Sequence, residues 1–412
     1  MIDGTGTNAR PADVLVRAGK VIEVGGRGSI TPPRDAVTID AADSTVIPGL
    51  IDPHFHATYS GHIGMQQLEW PQSLEDSAVR AGPNATRALW CGYTSVLDVG
   101  CRGRIGVAVR AAIRDGVVQG PTMRVSGQII STVGGPLDLW PSSMRLDPAT
   151  RLVALVSGVE HIRRVIREQA KDGTDNVKMQ ISSSAVQRNA RRACVFEDDE
   201  LLAASETAHS LGLSIAAHAE GPEAVGAAIR AGFDTIHHAS FVDHATLSLL
   251  ETNPRSALIF TLGVYDDIRH RGAAINYPRA SIERIDAVWD KMVAAVRLAY
   301  ERGVPFAVGS DTGGAVHPHG RYAHDIALLV NAVGLSTEHA IRAATLHAAR
   351  AGWFANVGTL TPGADADLVV VIGDLTKRIE LLEDEVNVRV VAKKGRVVKG
   401  ASLTGAGERV FA

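Results

Sequence analysis

The residues best suited to chemistry stand at the ends of apolar runs. His54 and His56 close the run Val46-Ile-Pro-Gly-Leu-Ile-Asp-Pro-His-Phe-His56. In a strand, alternate side chains share a face, so a His-x-His pair turns two imidazoles toward one site and supplies half of a metal centre. Other runs finish in the same way: Ile215-Ala-Ala-His218, Thr235-Ile-His237-His238 and Ala307-Val-Gly-Ser-Asp311. Lys178 lies inside another, Asn176-Val-Lys178-Met179. An ammonium buried there without a partner is costly, so its pKa falls and the neutral amine becomes a nucleophile. That amine adds carbon dioxide to form a carbamate, an anionic bidentate ligand able to bridge two cations. Four imidazoles, a carbamate and a carboxylate suit two divalent ions of zinc-like softness. Two such ions, about 3.5 to 4 Å apart, would share a water as hydroxide and polarise a substrate carbonyl. Asp311 then takes the proton during attack and delivers it to the leaving nitrogen.

These residues need a scaffold that brings strand ends together. Strand and helix patterns alternate from Gly49 onward, which argues for parallel βα units. The candidate strands are Gly49–His56, Thr94–Val99, Thr122–Ile130, Asn176–Ile181, Leu213–His218, Thr235–His238, Ala257–Leu262 and Pro305–Ser310. Helical periodicity falls at Gln72–Cys91, Leu152–Lys171, Asp198–Leu211, Pro222–Ala231 and Ile282–Arg302, then near Ala323–Val333 and Glu338–Ala351. Eight such units predict an α/β fold, a (β/α)8 TIM barrel, with an open doubly wound sheet as the alternative. Both chain ends instead carry Gly-punctuated strands: Ala12–Arg17, Lys20–Val24 and Ala36–Asp40, then Asp367–Ile372, Asn387–Lys393 and Arg396–Lys399. The expected organisation is residues 1–47 and 356–412 as two parts of one small β-sandwich, with residues 48–355 as the barrel between them.

Composition narrows the partner. A net charge of -3 over 412 residues, without a basic run, gives no reason to expect nucleic acid or an anionic membrane, and leaves a small-molecule substrate. Cys91, Cys101 and Cys194 are too few and too far apart for a disulfide framework, and read as small buried hydrophobes in a reducing compartment. The N-terminus has no charged region leading into an apolar one, and no apolar run nears about 18 residues, so a soluble cytoplasmic protein is expected.

The chain resembles the amidohydrolase superfamily, and within it the binuclear branch of imidazolonepropionase-like, dipeptidase-like and ochratoxinase-like proteins. The resemblance rests on Val46–His56, Gly92–Gly100, His218-Ala-Glu-Gly221, Gly309-Ser-Asp-Thr-Gly313 and Gly358–Val371, in that order over nearly the whole chain. It implies that His54, His56 and Asp311 hold one ion, that His218 and His238 hold the other, and that carboxylated Lys178 bridges them. It also implies a homo-oligomer. Two positions depart from the family pattern: His237-His238-Ala239 stands where relatives often have Glu-His-Gly, and Gly134-Gly135-Pro136 where the peptidase-like group often has Gly-Gly-His. The second departure removes a usual substrate contact.

Candidate substrate contacts are Tyr59, His62, Trp70 and Trp140 as an aromatic wall, and His237 and His319 beside the ligands, with His317 near them. Arg188, Arg191 and Arg192 are candidates to pair with a substrate carboxylate or to form a solvated basic loop. Tyr265 is positioned to stabilise an oxyanion. The resulting expectation is hydrolysis of an amide C–N bond in an N-acyl amino acid, a dipeptide or a xenobiotic amide such as an ochratoxin-like molecule. The alternatives are ring opening or deamination on the same barrel, or a non-catalytic scaffold.

Overall fold

The computed structural model describes residues 1–68, 72–144, 146–186 and 193–400, together with the backbone of 409–411. Eight parallel strands form the barrel: β1 (Leu50–Phe55), β2 (Tyr93–Asp98), β3 (Thr122–Val125), β4 (Asn176–Gln180), β5 (Ser214–Ala219), β6 (Thr235–His238), β7 (Ala257–Phe260) and β8 (Phe306–Val308). They are buried almost throughout because helices cover one face and the packed interior the other, which is why they read as near-continuous apolar runs. β1, β2 and β3 pair in order, as do β4 through β8. The join between β3 and β4 is a bridge from Ser126 to Asn176, reinforced by the Asn176 amide donating to Ser126 Oγ at 2.8 Å.

The seam between β8 and β1 is closed by Asp52. Its carboxylate accepts from the backbone N–H groups of His54 and Ser310, each at 3.0 Å, and from the Ser310 hydroxyl at 2.5 Å. Asp311 N–H donates to the His54 carbonyl at 2.9 Å, so the two ligand-bearing strand ends are tied together. The backbones approach so closely that a Cβ on Gly309 would sit 2.5 Å from His54 Cβ. An Asp52→Ala variant leaves three donors without an acceptor in a dry interior, and is expected to lose at least about 2 kcal/mol of stability in urea unfolding. Unchanged stability would mean that the seam does not depend on this carboxylate.

Three elements differ from the sequence reading. The expected third strand, Thr122–Ile130, is two strands. Thr122–Val125 pairs with β2, whereas Ile129–Thr132 lies in parallel between β4, through Ile130 and Met179, and the extra strand Val153–Val156. Val153–Val156 falls where the periodicity predicts the first turn of a helix, and that helix runs only over Val159–Lys171. The expected Ile282–Arg302 helix is broken into Arg279–Asp286 and Trp289–Glu301.

The chain ends meet in two sheets, one antiparallel throughout and one mixed, in which Arg409–Phe411 runs parallel to Val37–Ile39. Ser44–Pro48 pairs with Leu368–Ile372, which continues to Val388–Lys393 and Arg396–Lys399. A second sheet orders Lys20–Gly26, Ala12–Arg17, Arg409–Phe411 and Val37–Ile39. The run Val46–His56 is therefore shared by two sheets, and it divides at Gly49. A Cβ there would lie 2.2 Å from Thr94 Oγ1, so only glycine passes between them. Among the described residues no helix is long and apolar enough to cross a membrane.

Candidate metal centre

The C-terminal ends of β1, β4, β5, β6 and β8 converge on one mouth. His54 Nε2 and His56 Nε2 stand 3.6 and 3.4 Å from Asp311 Oδ1. His54, His238 and Asp311 each bring a ligand atom within 4.8 Å of the others. The His218 and His238 rings are 4.2 Å apart. The remaining nitrogens are already engaged. His56 Nδ1 faces the Gly100 carbonyl at 3.1 Å and His238 Nδ1 the Thr261 hydroxyl at 2.7 Å. His218 hydrogen-bonds the Ser183 backbone, while its Nε2 is buried without a partner. Imidazoles anchored through one nitrogen and bare at the other are what metal ligation requires.

Backbone geometry helps to assemble them. His238 and Asp311 are both non-glycine residues in the left-handed region, with φ of 71° and 52°. Such residues cost of order 1–3 kcal/mol each and cluster at functional sites. In a regular strand His237 and His238 would face opposite ways. The turn of the chain at His238 brings both rings to His54, at 4.7 and 4.8 Å between centroids.

The electrostatics of this set favour an added group. Lys178 is 2% exposed, and its Nζ has no hydrogen-bond partner. Burial brings its ammonium down to about 7, against a smaller opposing pull from Asp311. Burial, and then the Lys178 charge, push His54 and His218 well below the usual imidazole value; burial and then His218 do the same to His238. An ammonium amid neutral imidazoles is thus the misfit of the centre. A carbamate on Lys178 would reverse its sign, and two divalent ions would supply the positive charge that such an anion, Asp311 and the bare nitrogens call for. The donor set therefore fits a binuclear centre with a carboxylated lysine.

A cavity of about 330 Å³ opens over the ligands, with Met65, Leu137, Leu139, Val264, Ile268 and Tyr277 giving it an apolar wall. Tyr59 and His62 line it, and Tyr59 also stacks on His56 at 3.9 Å. Tyr265 lines it too, but its hydroxyl hydrogen goes to Glu220 Oε1 at 2.5 Å, which leaves none for an oxyanion in this arrangement. His237 and His319 are corrections. His237 is fully buried against His54, while His319 is spanned between the Tyr59 carbonyl and the Tyr322 hydroxyl, each at 2.9 Å. Both are drawn inward by polar partners and away from the cavity. Half-buried Trp140 is not part of the lining, and His317 is fully buried with Nδ1 on Asp267 at 2.7 Å. Trp70, Arg188, Arg191 and Arg192 lie outside the described residues. Sequence reasoning missed Tyr277 and the Thr261 anchor; only Thr261, at the end of the β7 run, carries a signal that strand-end logic could have used.

A second acidic group, Asp266, Asp267 and His324, has a different character. Burial lowers His324, but hydrogen bonds to Asp266 and Glu383, both at 2.9 Å, outweigh it and raise the ring to about 10. Both nitrogens then carry hydrogens, so this imidazolium braces the fold and does not ligate.

The neutral imidazoles imply a pH dependence. Burial depresses His62 to about 4 and His319 to about 3, with His54, His218, His237 and His238 also lowered. An unfolded chain protonates histidine near pH 6.5, so their stabilising contribution is full above that value and is lost as pH falls toward the folded-state values. Each adds a slope of up to about 1.4 kcal/mol per pH unit. Chelator-treated protein is expected to melt markedly lower at about pH 5 than at about pH 7.5. Equal melting temperatures would contradict neutral burial.

A model described as the amidohydrolase family matches residues 45–398. Ochratoxinase of Aspergillus niger is 26% identical over 430 aligned residues, covering 99% of this chain and 87% of the relative. Its crystal structure superposes with a TM-score of 0.83, covering 98% of this chain and 95% of that one. A prolidase solved with N-methylphosphonate-L-proline matches at 28% identity and a TM-score of 0.83, over 94% of each chain. A Xaa-Pro dipeptidase with methionine in its active site matches at 27% identity and 0.84, covering 97% of this chain and 98% of that one.

Proposed function

Because the chain belongs to the amidohydrolase family and is a metal-dependent hydrolase of carbon–nitrogen bonds, we propose that it cleaves an amide flanked by an apolar or ring-bearing group. N-acyl amino acids, dipeptides and xenobiotic amides of the ochratoxin kind are the substrate classes. The observation that carries this reading is the buried, unpartnered Lys178 Nζ among imidazoles held through their outer nitrogens. His54, His56 and Asp311 would hold one divalent ion and His218 and His238 the other, with the Lys178 carbamate between them; zinc fits the donors. When bound, the pair supplies an activated water and Lewis-acid polarisation of the carbonyl.

The chain's own residues do the rest. Asp311, at the rim of the cavity, accepts a proton as the water oxygen bonds to the carbonyl carbon. It returns that proton to the nitrogen as the C–N bond breaks, so that a carboxylic acid and an amine leave. The apolar wall holds the flanking group and displaces solvent from it. The barrel, within residues 48–355, carries all of these groups, and the described strands of the two chain ends brace it. Ring opening uses the same atoms on a cyclic amide.

The test is free-amine release from a panel of N-acyl amino acids, dipeptides, aryl amides and carbamates. Zinc-loaded protein is expected to cleave at least one class, chelation to abolish release, and added zinc to restore it. Silence across the panel from protein that still holds two ions would overturn acyclic amide hydrolysis and leave lactams and lactones.

A further inference from the structure

His237 has no place in the scheme above, yet it touches a ligand. Its Nδ1 lies 2.9 Å from His54 Nδ1, and its Nε2 lies 3.0 Å from Thr235 Oγ1. Thr235 and His237 are two apart on β6 and so share its inner face, and both are buried. The His54 and His237 rings meet edge to face at 76°.

Two neutral ring nitrogens at that separation share a single hydrogen, and its position decides what His54 can do. With the hydrogen on His54 Nδ1, the Nε2 lone pair is bare on the side facing Asp311, and His54 can ligate. With it on His237 Nδ1, neutral His54 must carry its hydrogen on Nε2, and ligation is blocked. His56 has no such freedom, because the Gly100 carbonyl that faces its Nδ1 can only accept. His238 meets a hydroxyl and His218 the Ser183 backbone, so among the described residues His54 is the ligand histidine whose outer nitrogen is handed to a second imidazole. We propose that His237 is the positioning residue that sets the His54 tautomer. Its Nδ1 accepts the His54 hydrogen, and its own Nε2–H donates to Thr235 Oγ1, so a relay of Thr235, His237 and His54 presents a bare Nε2 to the metal. This rests on the metal-centre reading.

The test measures zinc affinity against a graded chelator, with zinc content read by mass spectrometry and the metal-free melting temperature read in parallel. His237→Leu keeps the bulk and removes the acceptor. It is expected to weaken the more loosely held zinc about ten- to a hundred-fold, as loss of a ligand's outer partner does. His237→Asn returns an acceptor near the lost Nδ1, and is expected to recover most of the affinity without matching changes in melting temperature. A Leu variant that binds zinc like the parent, or an Asn variant no better than Leu, overturns the relay. If the Leu variant does not fold, the isosteric Thr235→Val decides: weakened zinc binding supports the relay, and parental affinity overturns it. A parent protein that takes up no divalent ion overturns the metal centre itself, which is a separate failure.

Discussion

A Lys178→Ala variant is expected to lose bridged metal and, with it, nearly all turnover. Lys178 Nζ is sealed from solvent, has no hydrogen-bond partner, and is brought by burial to about 7, so a large neutral fraction exists near neutral pH. Carbon dioxide adds to that fraction: the N–C bond forms, one proton leaves, and a cation is exchanged for an anion. Alanine removes the anion and leaves a slot about the size of a small carboxylate. Metal content should fall below two ions per chain, and the loss of several kcal/mol of charge stabilisation corresponds to at least about 10³-fold in kcat. Propionate or acetate, entering the slot, is expected to restore part of both. Full metal content and turnover without added carboxylate would remove the carbamate from the site. Labelled carbon dioxide gives a readout independent of activity, because the parent should show a carbamate carbon resonance that the alanine variant lacks.

Asp311→Asn changes one oxygen for an NH2 group at nearly constant volume. Asp311 Oδ1 faces the Nε2 atoms of both His54 and His56, at 3.6 and 3.4 Å, and Asp311 lines the cavity. The amide accepts no proton at neutral pH, so kcat should fall by about 10²–10⁴-fold. An interaction lost only in the transition state lowers kcat and kcat/KM alike and leaves KM near the parental value. Metal content measured on the same sample separates the two duties of Asp311. Retained zinc with collapsed kcat supports the proton role, whereas lost zinc points to ligation as the dominant contribution. Near-parental turnover would exclude Asp311 as the proton carrier.

Much of the centre was legible because a barrel presents its strand ends on one face, so polar residues closing apolar runs are drawn together whatever their separation along the chain. His54, His56, His218 and Asp311 follow from that rule, and Lys178 from the cost of burying an ammonium. The two-part sandwich was legible from the turn chemistry at both chain ends. The loop aromatics were not, because a loop residue's direction depends on what packs beneath it. His319 looks as suitable as His62, but the Tyr59 carbonyl and Tyr322 hydroxyl draw it inward.

The run Val46–His56 announces one strand, and nothing local indicates that it serves two sheets. The division at Gly49 is imposed by Thr94, whose oxygen leaves no room for a side chain. The pair His237-His238 is the clearest case. By itself the sequence determined that imidazole ends β6. Alternation turns neighbours to opposite faces but does not say which of the two reaches the cavity, and the choice of His238 rested on the family resemblance. Tertiary structure decided it through the left-handed backbone at His238, which brings that ring to the cavity while His237 is seated on His54. That conformation is unfavourable in isolation and persists because the surrounding barrel holds it.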